Sequence, residues 1–186
     1  TITDPQNAKS VELRANTPTR FFISGAYDWI GASVSWASPT SPEQDRLNGL
    51  SQATDYQFRF YLNEFSIDTF YQVYRGYYVS NSQDFTGSND PNLPMIQLPE
   101  MRSEHWAIGV TYSFNPDSFS LGAAYDQSKM QNQSGASWLV STTVNSHRFS
   151  NPDSMIPTQV AGTYGEFEKV RSGSMVSVAL GGGGGG

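Results

Sequence analysis

Cysteine is absent from this chain of 186 residues. That excludes disulfides, cysteine-based metal centres and thiol nucleophiles, while leaving the compartment open. Basic residues are few: 11 Lys and Arg stand against 17 Asp and Glu, for a net charge of −6 and a pI near 4.7. Phosphate recognition needs clustered Lys and Arg, so nucleic acid is excluded as a partner. No run approaches the roughly 20 consecutive apolar residues that a membrane-spanning helix requires. A hydrophobic content of 37% and a negative mean hydropathy point the same way. Neither excludes a β-barrel, in which only alternate residues of each strand face lipid. Thr1-Ile2-Thr3-Asp4-Pro5 has neither the basic start nor the apolar run of a secretory signal, as expected of a mature exported chain or a trimmed one.

Aromatic residues are plentiful, with 11 Phe and 10 Tyr, and they concentrate in segments of period two. In 54–62 the positions Tyr56, Phe58, Phe60 and Leu62 alternate with Asp55, Gln57, Arg59 and Tyr61. After Asn63-Glu64 the pattern resumes with Phe65, Ile67, Tyr71 and Val73 against Ser66, Asp68 and Gln72. Strand side chains alternate between two faces, so each strand is apolar on one side and polar on the other. A tight hairpin at Asn63-Glu64 sets Phe60 opposite Ile67, Tyr56 opposite Tyr71 and Arg59 opposite Asp68. Apolar then meets apolar and opposite charges meet, which supports the register.

The same period predicts further strands at about 19–27, 29–37, 103–114, 119–125, 136–147 and 172–180, eight in all. Residues 1–18 read as an extended N-terminal segment and 19–180 as the barrel domain. The glycine run 181–186 reads as a linker or the cut end of a longer barrel. Polar segments 38–53 and 81–102, dense in turn formers, read as loops. Connections after the first, third and fifth strands are short, and those after the second, fourth and sixth are longer. Outer-membrane barrels alternate short periplasmic turns with long external loops in this way. The long segment 148–171 falls on the short side; either a strand is missing from the count or the segment is an insertion. The fold class expected is therefore an all-β, antiparallel up-and-down transmembrane β-barrel of at least 8 strands, or 10–12 if the barrel continues.

Two chemical faces follow. Phe58, Phe60, Ile67, Ile108, Val110, Leu121, Val140 and Val176 form the expected lipid-facing band, with Tyr56, Tyr71, Trp106, Tyr125 and Trp138 nearer its edges. Asp55, Gln57, Arg59, Asp68, Gln72 and Tyr74 form the expected lumen-facing polar set. Small residues Ala107, Gly109, Thr111, Ser113, Ser120, Gly122 and Ala124 line the opposite wall, giving either a lopsided water-filled lumen or a filled small barrel. Sequence alternation also permits reversed faces, as in a soluble lipocalin-like barrel; the loop asymmetry and the broad aromatic bands argue against it.

No catalytic constellation emerges. His105 sits on an inward face with no Ser or carboxylate placed to complete a triad, and His147 reads as surface at a strand end. Two isolated histidines do not make a metal site. Glu43, Asp45, Asp84, Asp90 and Glu100 read as solvated loop residues rather than a cation site. Asn132-Gln133-Ser134 matches a glycosylation sequon by chance, and the glycine run lacks the residues of a phosphate loop. No catalytic residue, metal or cofactor is assigned.

Tyr71-Gln72-Val73-Tyr74-Arg75-Gly76-Tyr77-Tyr78 resembles the aromatic signature of an uncharacterised family of bacterial outer-membrane barrel proteins, described only as a domain of unknown function. Arg102, Ser134-Gly135-Ala136-Ser137-Trp138 and Asp153-Ser154-Met155-Ile156-Pro157 resemble it in the right order, over roughly residues 19–180. The resemblance implies the outer membrane of a Gram-negative bacterium and a barrel that continues beyond this point, and it carries over no catalytic residue. The expected role is non-enzymatic, structural or partner- and lipid-binding. Its partners would be membrane lipids, and a protein through the loops, the outer wall or 148–171. A passive porin-like pore is the alternative.

Overall fold

The computed structural model describes residues 1–3, 10–121, 123, 135–152 and 172–185. In chain order the elements are β1 (Ile2–Thr3), β2 (Ser10–Val11), β3 (Leu13–Arg14), β4 (Arg20–Tyr27), β5 (Ile30–Ala37), α1 (Pro42–Asn48), β6 (Gln52–Tyr61), β7 (Phe65–Val79), α2 (Gln83–Thr86), β8 (Ile96–Ser113), β9 (Ser137–Ser150) and β10 (Ser172–Gly185). Strands β4 to β10 pair consecutively and antiparallel, forming an up-and-down meander. Short β3 adds to β7 beyond the start of β6, which makes the sheet 8-stranded, while β1 and β2 pair apart from it. Among the described residues the sheet is not closed: β4 and β10 each keep one unpaired edge.

The β6–β7 hairpin has the expected register, with Phe60 opposite Ile67, Tyr56 opposite Tyr71 and Arg59 opposite Asp68. The β4–β5 turn puts Asp28 at φ 53, in the left-handed region where a short polar side chain is tolerated. Segment 38–53, read as loop, contains α1. Its Ser41 side chain accepts from the Gln44 backbone N–H and Pro42 occupies the first turn, so its turn formers are also helix-start residues. The Arg46 guanidinium bonds Glu43 and holds that carboxyl below its ordinary pKa.

Two further expectations change. Strand β8 starts at Ile96, inside the segment read as loop. Past a bulge between Arg75 and Tyr77, Tyr77 pairs with Leu98 and Val79 with Ile96. Pro99 falls in the gap of this pairing, where a missing N–H costs the ladder nothing. Gly76 is required there: its φ is +82, and a Cβ would lie 2.1 Å from the Leu50 carbonyl oxygen. The second change concerns 119–125, read as a strand. Phe119 and Ser120 are irregular, Leu121 and Ala123 are helical, and β8 pairs directly with β9; Gly122, Ala124 and Tyr125 lie outside the described residues. Removing that strand puts the connection between β9 and β10 at the same end as 38–51 and 80–95. The long connection at the tight-turn end is instead 114–136. Gly181 to Gly185 continue β10, paired with Ser141 to Ser137.

The apolar core is divided between the two ends of the sheet. Val11, Val79, Phe85, Leu98 and Met101 are buried together where the N-terminal segment and α2 meet β7 and β8. Tyr61, Phe119 and Leu121 are buried at the other end, with Leu139 against them. Burial of this kind stabilises by roughly 1.5–3 kcal/mol per large side chain. Between these caps the middle of the sheet carries polar groups on one face and apolar groups on the other.

Candidate functional site

The register sorts the strands into two faces without ambiguity. One carries Asp55, Gln57, Arg59, Asp68, Gln72 and Tyr74, the set singled out from the sequence, joined by Arg20, Ser35, His105 and His147. The other carries Phe58, Phe60, Ile67, Ile108, Val110, Val140 and Val176. Leu121 does not belong to that apolar face: it is 1% exposed and packs with Tyr61 and Phe119. Its alternation with Phe119 reflects a cap, which sequence period alone does not distinguish from a strand.

The apolar face is exposed although it is rich in large side chains. Phe58 is 44% exposed, Val140 51% and Val176 67%. Aromatic rings gather at its two ends. Tyr56, Tyr71 and Trp106 are successive cross-strand partners at one end. Phe65, Tyr112 and Phe114 interlock at the other, with centroids 4.9 Å apart at each step. Ile108, Val144 and Val178 form a row between these ends, next to Trp106. Both end caps rest on the opposite, polar side: Tyr61 and Leu139 of one share the face of Arg59 and Thr143, and Phe149, packed against the other, shares the face of His147.

Charge on the polar face is paired. Arg20 Nη2 lies 2.5 Å from Asp55 Oδ2, and both side chains are largely covered. Arg20 also donates to Tyr74 Oη at 2.9 Å and to Ser35 Oγ at 3.0 Å, and Ser35 donates to Asp55 at 2.9 Å. Gln72 Nε2 donates to the same Tyr74 oxygen at 3.2 Å. Arg59 and Asp68 meet at 3.1 Å as a more exposed pair. A cleft on this face, bounded by Phe22, Ser24, Gly31, Ser33, Gln57 and Arg59, encloses about 370 Å³.

Arg20 and Ser35 were missed in the sequence. Asp55 was the signal: a carboxylate on an inward face needs a cation, and two strands away the alternation offers Arg20. His147 is exposed as expected, yet it is inside β9 and is the cross-strand partner of His105. The two rings stack at 3.8 Å with 11° between their planes. Phe70 meets the His105 ring edge-on at 5.2 Å. A second cleft of about 600 Å³ opens beside them, reaching Tyr74, Tyr77, Phe149 and Met175. Among the described residues, no group of three or more His, Cys, Asp or Glu is placed to hold a metal ion, and no helix is long and apolar enough to cross a membrane.

These features define an all-β protein built on an up-and-down antiparallel sheet with one exposed apolar face and one hydrogen-bonded polar face. The chain belongs to the family described as Domain of unknown function (DUF4421), which matches residues 1–186. No curated protein and no solved structure matches it.

Proposed function

We propose that this chain forms the wall of an integral β-barrel in a bacterial outer membrane, with a non-enzymatic structural or partner- and lipid-binding role. The exposed apolar face carries the proposal. Water disfavours a continuous surface of this size and aromatic content, whereas a bilayer solvates it. Trp106 within β8 and Phe114 just past its last residue, at the two aromatic edges of the face, are about 26 Å apart along the chain at ~3.3 Å per residue. Strand tilt reduces this to a height of about 20 Å, close to the apolar band of about 25 Å in such barrels. The end caps favour the polar face as the inside, the reverse of a lipocalin-like barrel.

Closure then follows from strand direction. β4 and β10 are separated by five antiparallel neighbours and so run the same way. Pairing them directly would make a parallel contact, whereas an odd number of further strands between them closes the barrel antiparallel. Seven long strands plus an odd number give the even count typical of single-chain outer-membrane barrels. Every backbone group at membrane depth needs a partner, so the free edges cannot face lipid.

A passive pore is the second reading, favoured by the half-exposed Arg59–Asp68 pair beside the cleft on the polar face. The test begins with detergent-extracted protein on gels run with and without boiling. A folded barrel migrates differently before heating; a chain that stays soluble and monodisperse without detergent overturns the membrane reading. The same preparation in a planar bilayer separates the two roles, with discrete conductance steps for a pore and silence for a filled wall.

A further inference from the structure

Strands β4 to β10 carry five arginines, and the register divides them by face. Arg20 and Arg59 lie on the polar face, each with a carboxylate beside it. Arg75, Arg102 and Arg148 lie on the apolar face, and all three fall at the end that carries 38–51 and 80–95. Beyond the row of Tyr71 and Trp106, the next row on that face is Val73, Glu104 and Arg148. The one after it is Arg75, Arg102 and Ser150. In the turns at the other end the described charged residues are Asp28, Glu64 and Asp117, all acidic. The apolar face therefore has cations along one margin only.

Arg75 and Arg102 are direct cross-strand partners, an arrangement that like charges disfavour. Each is about half exposed and keeps one carboxylate of β8, Glu100 at 2.6 Å and Glu104 at 2.5 Å. Exposed pairs of this kind are weak, and a guanidinium has five N–H groups, so donors remain for another anion. Arg75, Arg102 and Ser150 line a cleft of about 530 Å³. With Arg148 opposite Glu104, three cations stand against two carboxylates. Tyr71 donates to Glu104 at 3.4 Å, which ties the aromatic row to the cluster.

We propose that Arg75, Arg102 and Arg148 bind the phosphate of an anionic lipid headgroup, an inference that rests on the membrane reading above. Depth favours a lipid over a soluble anion. At ~3.3 Å per residue the two rows lie about 7 and 13 Å along the strand from Trp106, which strand tilt reduces to about 5 and 10 Å. The headgroup layer starts where interfacial aromatic rings sit and is about 5–7 Å thick on each side. Arginine offers a phosphate at that depth a bidentate pair of donors.

The test is native mass spectrometry of the detergent-extracted full chain with equimolar phosphatidylglycerol and phosphatidylcholine of the same acyl chains. The ratio of the two single-lipid adducts should favour phosphatidylglycerol by roughly 5-fold, the factor expected of one surplus positive charge near the surface. The double variant Arg75→Gln with Arg102→Gln should abolish the preference, and Glu104→Gln should raise it. Arg46→Gln, in α1 outside the strands, should leave it unchanged. Heat-modifiable migration of each variant separates loss of the site from loss of fold. A folded barrel that takes both lipids equally, a preference that survives the double variant, or one lost equally in Arg46→Gln would each overturn the site and leave the barrel standing. A chain that stays soluble without detergent overturns both.

Discussion

Arg20 and Asp55 matter more to this molecule than Arg59 and Asp68, although the sequence advertises the second pair. Both pairs are short, but the side chains of Arg20 and Asp55 are 28% and 16% exposed against 38% and 49% for the other two. Removing one partner from a largely covered pair leaves an uncompensated charge, whereas an exposed pair is worth about 0–1 kcal/mol. Arg20→Met should therefore destabilise the chain by about 2–3 kcal/mol, somewhat below the cost for a fully buried pair. Urea unfolding should show the double variant Arg20→Met with Asp55→Leu recovering part of that loss. Asp68→Asn should shift the same curve by less than about 1 kcal/mol.

At the scale of elements, the bulge in β7 and the cap over Tyr61 decide the shape. Gly76 carries a positive φ and faces the Leu50 carbonyl, so no other residue fits without moving backbone. Gly76→Ala should cost more than about 1–2 kcal/mol and show itself as a lower thermal midpoint. Leu121→Ala opens a cavity under Phe119 and should cost about 2–5 kcal/mol in the same measurement. The natural absence of cysteine makes a labelling test clean. Single cysteines at Phe58, Ile108, Val140 and Val176 should resist maleimide in vesicles, because a thiol facing hydrocarbon stays protonated, and react once the chain is unfolded in urea; on a face exposed to water they would react in the folded chain, unlike a cysteine at buried Leu121.

For the whole molecule, the exposed apolar face is the feature on which the membrane reading rests. In a bilayer Ile108 lies inside the apolar band, about 7 Å along the strand from Trp106, so Ile108→Arg should cost about 1–3 kcal/mol of unfolding free energy in vesicles, less than at the midplane. On a soluble sheet, a charge at this 40% exposed position would be nearly neutral. That contrast tests the membrane reading independently of any conductance measurement.

Much of this was legible in the chain itself. Alternation in 54–73 determined two strands, their faces and their register, because a one-residue slip would have put Arg59 and Asp68 among phenylalanines. Alternation also separated Phe58, Ile108, Val140 and Val176 from Gln57, Asp68 and Gln72. What it could not decide was which alternating segments pair. Phe119 and Leu121 have strand spacing but complete a cap, since burial against Tyr61 satisfies the same pattern. Strand β8 reaches back to Ile96 despite Pro99 because the bulge at Gly76 re-aligns its partner. Only the tertiary structure brought Arg20 to Asp55 and His105 to His147. Contacts so far apart in sequence are determined by the order and register of the whole sheet, whereas local periodicity sets the register of a single tight hairpin only.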